Sequence, residues 1–328
     1  MEKIYIAPLE GITGHVFRQA YHNCINPHID KYFTPFISPN QNRCMSGREK
    51  RDILPENNRG ISLVPQILTK DAKRFQETAR ELKEYGYTEV NLNLGCPSPT
   101  VTTKKKGAGM LADLTELERF LDVIFTNPPV EISIKTRLGI EKEEEWEPLL
   151  ELYNRYPVKE LIVHARLLKD FYGGEPRREA FGLAMQKSVH PLCYNGDVFT
   201  QEDYLQLQKE YRKSRGHQLQ DLEISGMEKV NVMLGRGILF HPALSVEIMR
   251  GEECNGKPDF RPDFWAFHDQ LVEGYGKELS GDAQVIQKMK ELWGYMITDF
   301  PDSGKLIKKI KKAGNLKEYT AAVRQLTF

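Results

Sequence analysis

Short apolar, β-rich runs return along this chain with helical stretches between them, and that alternation restricts the fold more than any other feature. The runs lie at 4–9, 30–37, 61–68, 89–95, 131–138, 160–166, 190–196 and 230–237. Between them, 71–86 has Ala72, Phe75, Ala79 and Leu82 on one helical face and Gly86 as its stop; 114–125 turns Leu117, Phe120, Leu121 and Ile124 inward. Strands separated by helices pair in parallel, and eight such units over roughly 240 residues suit a closed barrel better than a doubly wound sheet. The expected class is therefore α/β, a (β/α)8 TIM barrel followed by a small C-terminal helical domain. Residues 1–249 form the barrel in this reading, 250–263 a Gly/Pro/charge-rich linker, and 264–328 the helical domain, with Trp265, Phe267, Leu271, Met289, Leu292, Trp293 and Met296 at helical spacing.

At 328 residues the chain is long enough to bury a sizeable core. No apolar run approaches the length of a bilayer span, and Pro8 and Glu10 interrupt the N-terminal apolar stretch, so neither a membrane segment nor a secretion signal is expected, and the location expected is cytoplasmic. The five cysteines (Cys24, Cys44, Cys96, Cys193, Cys254) are odd in number, far apart and free of any CxxC pair. They signal neither a disulfide framework nor a zinc site, no metal is expected, and most of them read as small buried hydrophobes. Lys+Arg and Asp+Glu both total 46, so no global positive field announces a polyanion. Basic clusters at 104–106, 177–178, 212–215 and 305–312 are offset by the acidic run 141–147, and alone they read as solvated faces.

In such a barrel the functional groups gather at the C-terminal ends of the strands. Polar residues stand at nearly every one: Glu10, Gln66, Asn93 with Cys96, Lys135 with Arg137, His164 with Arg166, Asn195 with Asp197, and Arg236. Cys96 lies in NLNLGCPSPT, between Gly95 and Pro97, in a loop too stiff for a casual connector. Glycine-rich turns after the seventh and eighth strands (YNGDV, LGRGI) occupy the place where barrels bind phosphate, and Arg236 adds a charged partner. Lys135 either carries its charge out to solvent or sets a cation against a cofactor ring. His164 is either a satisfied structural histidine or a hydrogen-bonding partner of a ligand, and Gln66 is a candidate for amide contacts. An amide, a cation and an imidazole around a ring, with a phosphate at the last two strands, describe a flavin mononucleotide (FMN) site.

These residues stand in a set of motifs that resembles the dihydrouridine synthases, flavoenzymes that reduce the 5,6 double bond of specific uridines in tRNA. The motifs are APLEGITGHVFR (7–18), VPQI (64–67), NLNLGCPSPTVTTKKKGAGML (91–111), IKTRLG (134–139), VHAR (163–166), YNGD (194–197) and MLGRGILFHP (233–242). By that resemblance Pro8, Leu9 and Glu10 line the flavin, Gln66 and Lys135 contact its ring, and His164 sits beside it. Asn195, Gly196, Asp197, Gly235 and Arg236 hold its phosphate tail, and Cys96 is the general acid. Asn93, Arg166, Lys104 and Lys105 are expected at the substrate, and the helical tail at RNA. The chain departs from the family pattern at Gly14, where an aspartate is usual, and at Leu167 and Asp170 after the histidine; these changes are expected on the substrate side of the mouth.

The implied chemistry has two halves. A nicotinamide dinucleotide, NADPH or NADH, reduces the flavin; hydride then goes to C6 of a uracil while a neutral thiol protonates C5. The base must leave its stack to reach the flavin, which favours loop uridines. Ribosomal RNA is the alternative substrate. A flavin barrel acting on a small molecule would have no use for the basic tail, and a non-catalytic RNA-binding module no use for Cys96. No protein partner is expected.

Overall fold

A computed structural model describes residues 2–214, 230–251, 261–300 and 304–326. The predicted strands are all present, each shorter than its apolar run. They are β1 (Ile4–Ile6), β2 (Lys31–Phe33), β3 (Leu63–Val64), β4 (Gln66–Ile67), β5 (Glu89–Leu94), β6 (Glu131–Arg137), β7 (Leu161–His164), β8 (Leu192–Tyr194) and β9 (Asn231–Leu234). All pairings are parallel, in the order β3-β2-β1-β9-β8-β7-β6-β5-β4.

The two ends of that order are one predicted strand, 61–68, divided at Pro65. A proline has no N–H for the ladder. Its carbonyl still accepts from Asn91 N at 2.8 Å, and Gln66 N turns to the Thr34 hydroxyl at 2.9 Å. The ring closes through this break, β3 pairing back to β2 and β4 forward to β5.

Period-two alternation decides what faces the axis. Tyr5, Ala7, Phe33, Val64, Ile162, Cys193 and Met233 pack together inside the barrel, while Ile4, Ile6, Leu92, Ile134 and Val163 face the helices. The N-terminal end is plugged by charge: Tyr5 Oη donates to Glu160 at 2.9 Å, and Lys31 Nζ lies 2.9 Å from Glu89 and 3.4 Å from Glu160. With that end filled, the opposite, C-terminal end is the open mouth.

The tail is built against the barrel. Helix Arg261–Glu278 lies on helix His15–Cys24, with Phe267 edge-on to Phe17 at 5.6 Å and close to Tyr21. Phe264, Phe267, Leu271, Met289 and Trp293 are fully buried in a core continuous with the outer layer of the barrel. The tail's own centre is Tyr319, whose hydroxyl is met by Trp293 Nε1 at 2.7 Å and His268 Nε2 at 2.8 Å. Arg250 ends helix Leu244–Arg250 and the tail helix begins at Arg261, so four residues of the expected linker lie in these two helices, and 252–260 lie outside the described residues. Among the described residues no helix is long and apolar enough to cross a membrane.

Candidate active site

A cavity of about 530 Å³ opens at the C-terminal ends of the strands, well within the usual size of a ligand pocket. Every expected cofactor residue from Pro8 to Arg236 lines it, together with Asn93 and Cys96. Arg166, Lys104 and Lys105 do not.

The Cys96 loop is held from both sides. Asn93 Oδ1 accepts from the backbone N–H of Gly95 at 3.1 Å and of Cys96 at 2.9 Å. On the far side, Ala108 N donates to Cys96 O at 3.1 Å, and Gly107, at φ +57°, lies so close that a Cβ there would stand 2.9 Å from that same oxygen. The GAG turn is thus the floor on which the cysteine rests. Burial pushes the Cys96 thiol up, opposed by the Ser98 backbone and by the nearby Lys135 and Arg137 cations. A thiol raised above its ordinary value keeps its proton at neutral pH.

Strand β6 sends alternate residues, Ser133, Lys135 and Arg137, toward the site. Burial, and after it the Arg137 charge, lowers the Lys135 ammonium to about 8. Arg137 is fully buried and braces three loops, donating to Gly95 O at 2.9 Å, Leu167 O at 2.8 Å and Phe171 O at 2.6 Å. Its guanidinium lies 5.5 Å from the Tyr172 ring centre.

His164 is held neutral, its value pushed well down by burial and by the surrounding Arg137, Lys135, Arg166 and Arg236. Arg166 Nη1 approaches His164 Nε2 at 3.1 Å. An arginine only donates, so Nε2 is the acceptor and Nδ1 carries the hydrogen. Arg166, expected at the substrate, lies behind the cavity wall. It has no exposed surface, and its guanidinium is spent on Asp197 at 2.7 Å and 3.1 Å, His164, and the carbonyls of Gly173 and Gly174. It reaches the mouth through His164 and through Asp197, which also accepts from Arg236 at 2.7 Å. Asp197 accordingly braces Arg236, the cation of the Gly235–Arg236 turn, against Arg166.

Three features of the site were not apparent in the sequence. Tyr172, 51% exposed, lies over both Arg137 and Arg236 and beside His164. Phe171 precedes it at φ +50°. Its local signal was an aromatic pair before two glycines, with nothing to say that the loop folds over the mouth. Tyr295 reaches the cavity from tail helix Asp282–Met296, and no local signal marks it.

The departures from the family pattern are structural. Asp52 Oδ1 lies 3.2 Å from where a Cβ on Gly14 would be, accepts from His15 N at 2.6 Å, and pairs through Oδ2 with Arg18 at 3.0 Å. A carboxylate from another segment thus caps this helix. Arg18 and the His15 contacts hold Asp52 down to about 2, outweighing its burial. Leu167 is buried, and Asp170 accepts from its backbone N–H at 2.8 Å and pairs with Arg177. These residues were expected on the substrate side; Gly14 stands where Asp52 caps the helix, Leu167 is packed in the core, and Asp170 is tied to the Leu167 backbone and to Arg177.

Of the basic clusters, Arg177 and Arg178 are ion-paired within the protein, with Glu143 and Asp170, and with Glu210. Arg215 lies outside the described residues. Lys104 and Lys105 are exposed on the turn leading to Gly107.

The donor set fits FMN. Gln66, Lys135 and His164 offer an amide, a buried cation and an N–H to a polar ring edge. The Asn195–Gly196 and Gly235–Arg236 turns offer backbone groups and one guanidinium to a phosphate, and a side chain at Gly237 would collide with Val198 O at 2.2 Å.

A family model described as dihydrouridine synthase matches residues 5–326. The chain is 26% identical over 327 residues to the tRNA-dihydrouridine(16) synthase of Neisseria meningitidis serogroup A, covering 94% of this chain and 90% of that protein. It is 26% identical over 255 residues to a probable tRNA-dihydrouridine synthase of Staphylococcus aureus (strain MRSA252), covering 76% of this chain and 72% of that one. Among solved structures, the N-(5'-phosphoribosyl)anthranilate isomerase of Pyrococcus furiosus aligns with 76% of this chain and 98% of its own at 14% identity and a TM-score of 0.43, too loose a likeness to argue from.

Proposed function

Because the chain belongs to the dihydrouridine synthase family, and is with it an oxidoreductase, we propose that it reduces the 5,6 double bond of specific uridines in tRNA to dihydrouridine. FMN is the bound cofactor, a nicotinamide dinucleotide (NADPH or NADH) the reductant, and Cys96 the general acid. The observation that carries this reading is the convergence, in one cavity, of a thiol kept neutral by burial with the Lys135 cation and the Gln66 and Asn93 amides.

When bound, FMN supplies the hydride for C6 of the uracil. The protein's own groups do the rest. Gln66 and Lys135 hold the ring edge; Asn195, Gly196, Gly235 and Arg236 hold the phosphate, with Arg236 sharing its charge between that anion and Asp197. As negative charge develops at C5, the Cys96 S–H gives up its proton there. The resulting thiolate is stabilised by Lys135 and Arg137 and regains a proton from solvent. Asn93 keeps the loop at one distance, and the exposed Tyr172 ring offers a stacking face to a base that has left the RNA.

Backbone phosphates meet Lys104 and Lys105 and the tail. Helix Gly304–Lys312 buries Ile310 and leaves Lys305, Lys308, Lys309, Lys311 and Lys312 exposed, a one-sided basic strip. In this reading residues 1–249 are the FMN-binding barrel, 264–328 the RNA-binding domain, and the protein works in the cytoplasm. Replacing Lys308, Lys311 and Lys312 together with glutamate is expected to weaken tRNA binding about tenfold or more near 0.1 M salt and to flatten its salt dependence. Bound flavin should not change. Unchanged tRNA affinity would remove this helix from the interface.

The function is tested by mapping dihydrouridine across tRNA and ribosomal RNA in cells with and without the gene. Loss confined to tRNA is the expected result, and loss confined to ribosomal RNA would replace the substrate. The structural roles of Asp52, Leu167 and Asp170 favour tRNA, since the departures that raised the ribosomal alternative do not remake the mouth.

A further inference from the structure

A line of side-chain amides runs beneath the cavity, and its direction follows from one end. Asn93 Oδ1 accepts two backbone N–H groups, those of Gly95 and Cys96, so this oxygen cannot be exchanged with the amide nitrogen. Asn93 Nδ2 must then donate, and it meets Gln66 Oε1 at 2.7 Å. That leaves Gln66 Nε2 to donate, to Asn91 Oδ1 at 2.8 Å. Asn91 Nδ2 donates in turn to Ser133 Oγ at 3.0 Å, whose own hydroxyl turns to Val90 O at 3.4 Å. Every hydrogen in the line points the same way, from the Cys96 backbone to the Val90 carbonyl. Asn91 and Ser133 are fully buried and do not line the cavity; Gln66 and Asn93 do.

We infer that Asn91 and Ser133 are positioning residues of this site: they lock the polarity of the Gln66 amide that meets the cofactor ring and, through Asn93, steady the Cys96 loop. Gln66 sees the same shape in either flip of its amide, so packing cannot choose between them. Hydrogen bonding does. A flipped Gln66 would set its nitrogen against Asn93 Nδ2 and its oxygen against Asn91 Oδ1, two facing pairs of like groups among buried side chains. The cavity therefore meets one fixed order of donor and acceptor. Asn93 makes the choice from one side, and Asn91, on the next strand, holds it from the other by register: Gln66 stands opposite Asn91 in the β4–β5 ladder, and Asn91 opposite Ser133 in β5–β6. Cooperative polarisation along an unbroken line strengthens each bond in it.

The proposal rests on the flavin reading for its cofactor arm and is independent of it for its thiol arm. Purified full-length wild type, Asn91→Ala and Ser133→Ala are titrated with FMN. Alkylation of Cys96 by iodoacetamide is followed by peptide mass spectrometry in the cofactor-free proteins, with Cys44 as the internal reference. Thr136→Val is the control, since Thr136 is as buried as Ser133 on the same strand but faces Tyr153, away from the axis.

Asn91→Ala is expected to weaken FMN binding about tenfold and to raise the Cys96 alkylation rate several-fold with Cys44 unchanged. Ser133→Ala moves both in the same direction by less, because Asn91 still accepts from Gln66. Thr136→Val lowers thermal stability and moves neither. If Asn91→Ala does not fold, Ser133→Ala decides. A folded variant that binds FMN within twofold of wild type and shows wild-type Cys96 alkylation overturns the inference. Wild type that fails to bind FMN sinks the cofactor reading instead, and the alkylation arm still decides the relay.

Discussion

Cys96→Ala is expected to bind FMN and to accept electrons from NADPH at the wild-type rate, yet to form dihydrouridine at least about 100-fold more slowly. The separation follows from where the thiol sits. Its loop is fastened by backbone groups, through Asn93 Oδ1 and Ala108 N, so removing the sulfur leaves the loop in place and the cofactor contacts intact. What is lost is the proton for C5. Stopped-flow reduction in the absence of RNA and single-turnover oxidation in its presence separate the two halves. Turnover of tRNA at the wild-type rate would end the assignment of Cys96 as the acid.

Lys135→Met should move stability and cofactor binding in opposite directions. In the folded protein the ammonium is lowered to about 8, mainly by burial. The folded chain therefore binds this proton less strongly than the unfolded chain does. The penalty is fully present below pH 8 and is relieved as pH rises from about 8 toward the unfolded lysine value, so from this group alone the cofactor-free protein gains stability across that window. Methionine fills similar space without the charge. Cofactor-free Lys135→Met is expected to be more stable at pH 7, by about 2 kcal/mol, and to melt higher. Its FMN affinity should fall by about tenfold or more and lose the decline expected of wild type as pH rises through 8. Melting curves and FMN titrations at pH 7 and 9 provide the check. A variant that melts lower and binds FMN normally would make Lys135 a structural residue.

What could be read in advance, and what could not, divides along a physical line. Period two along a strand is local, so Asn93, Lys135 and His164 could be placed at strand ends from the sequence, and they line one cavity. The helix faces were equally local: Phe75, Ala79 and Leu82 are buried, as are Leu117, Phe120, Leu121 and Ile124. Pro65 was in view, yet its effect on the third strand depends on what Thr34 and Asn91 do across the sheet. Arg166 shows the same limit at the site. Its place at a strand end suggested the mouth, and only the position of Asp197, thirty-one residues later, shows that the guanidinium is turned inward. The Gly14 departure looked like a missing group because the carboxylate that serves there comes from Asp52. Side-chain partners drawn from distant segments leave no periodic trace.

Tyr295 carries a consequence for the order in which the protein is made. A chain leaving the ribosome has made the nine described strands by Leu234, but one wall of the cavity belongs to a helix whose Tyr295 lies about sixty residues further on. During that interval the nascent barrel has the Cys96 thiol and the Asn195–Gly196 and Gly235–Arg236 turns without the surface that completes their cavity, and Phe17 and Tyr21 wait bare for Phe267. The cavity is thus completed only at the end of synthesis, and a chain that terminates early leaves both an unfinished pocket and an uncovered apolar face, the kind of surface by which partly made proteins are retained or degraded.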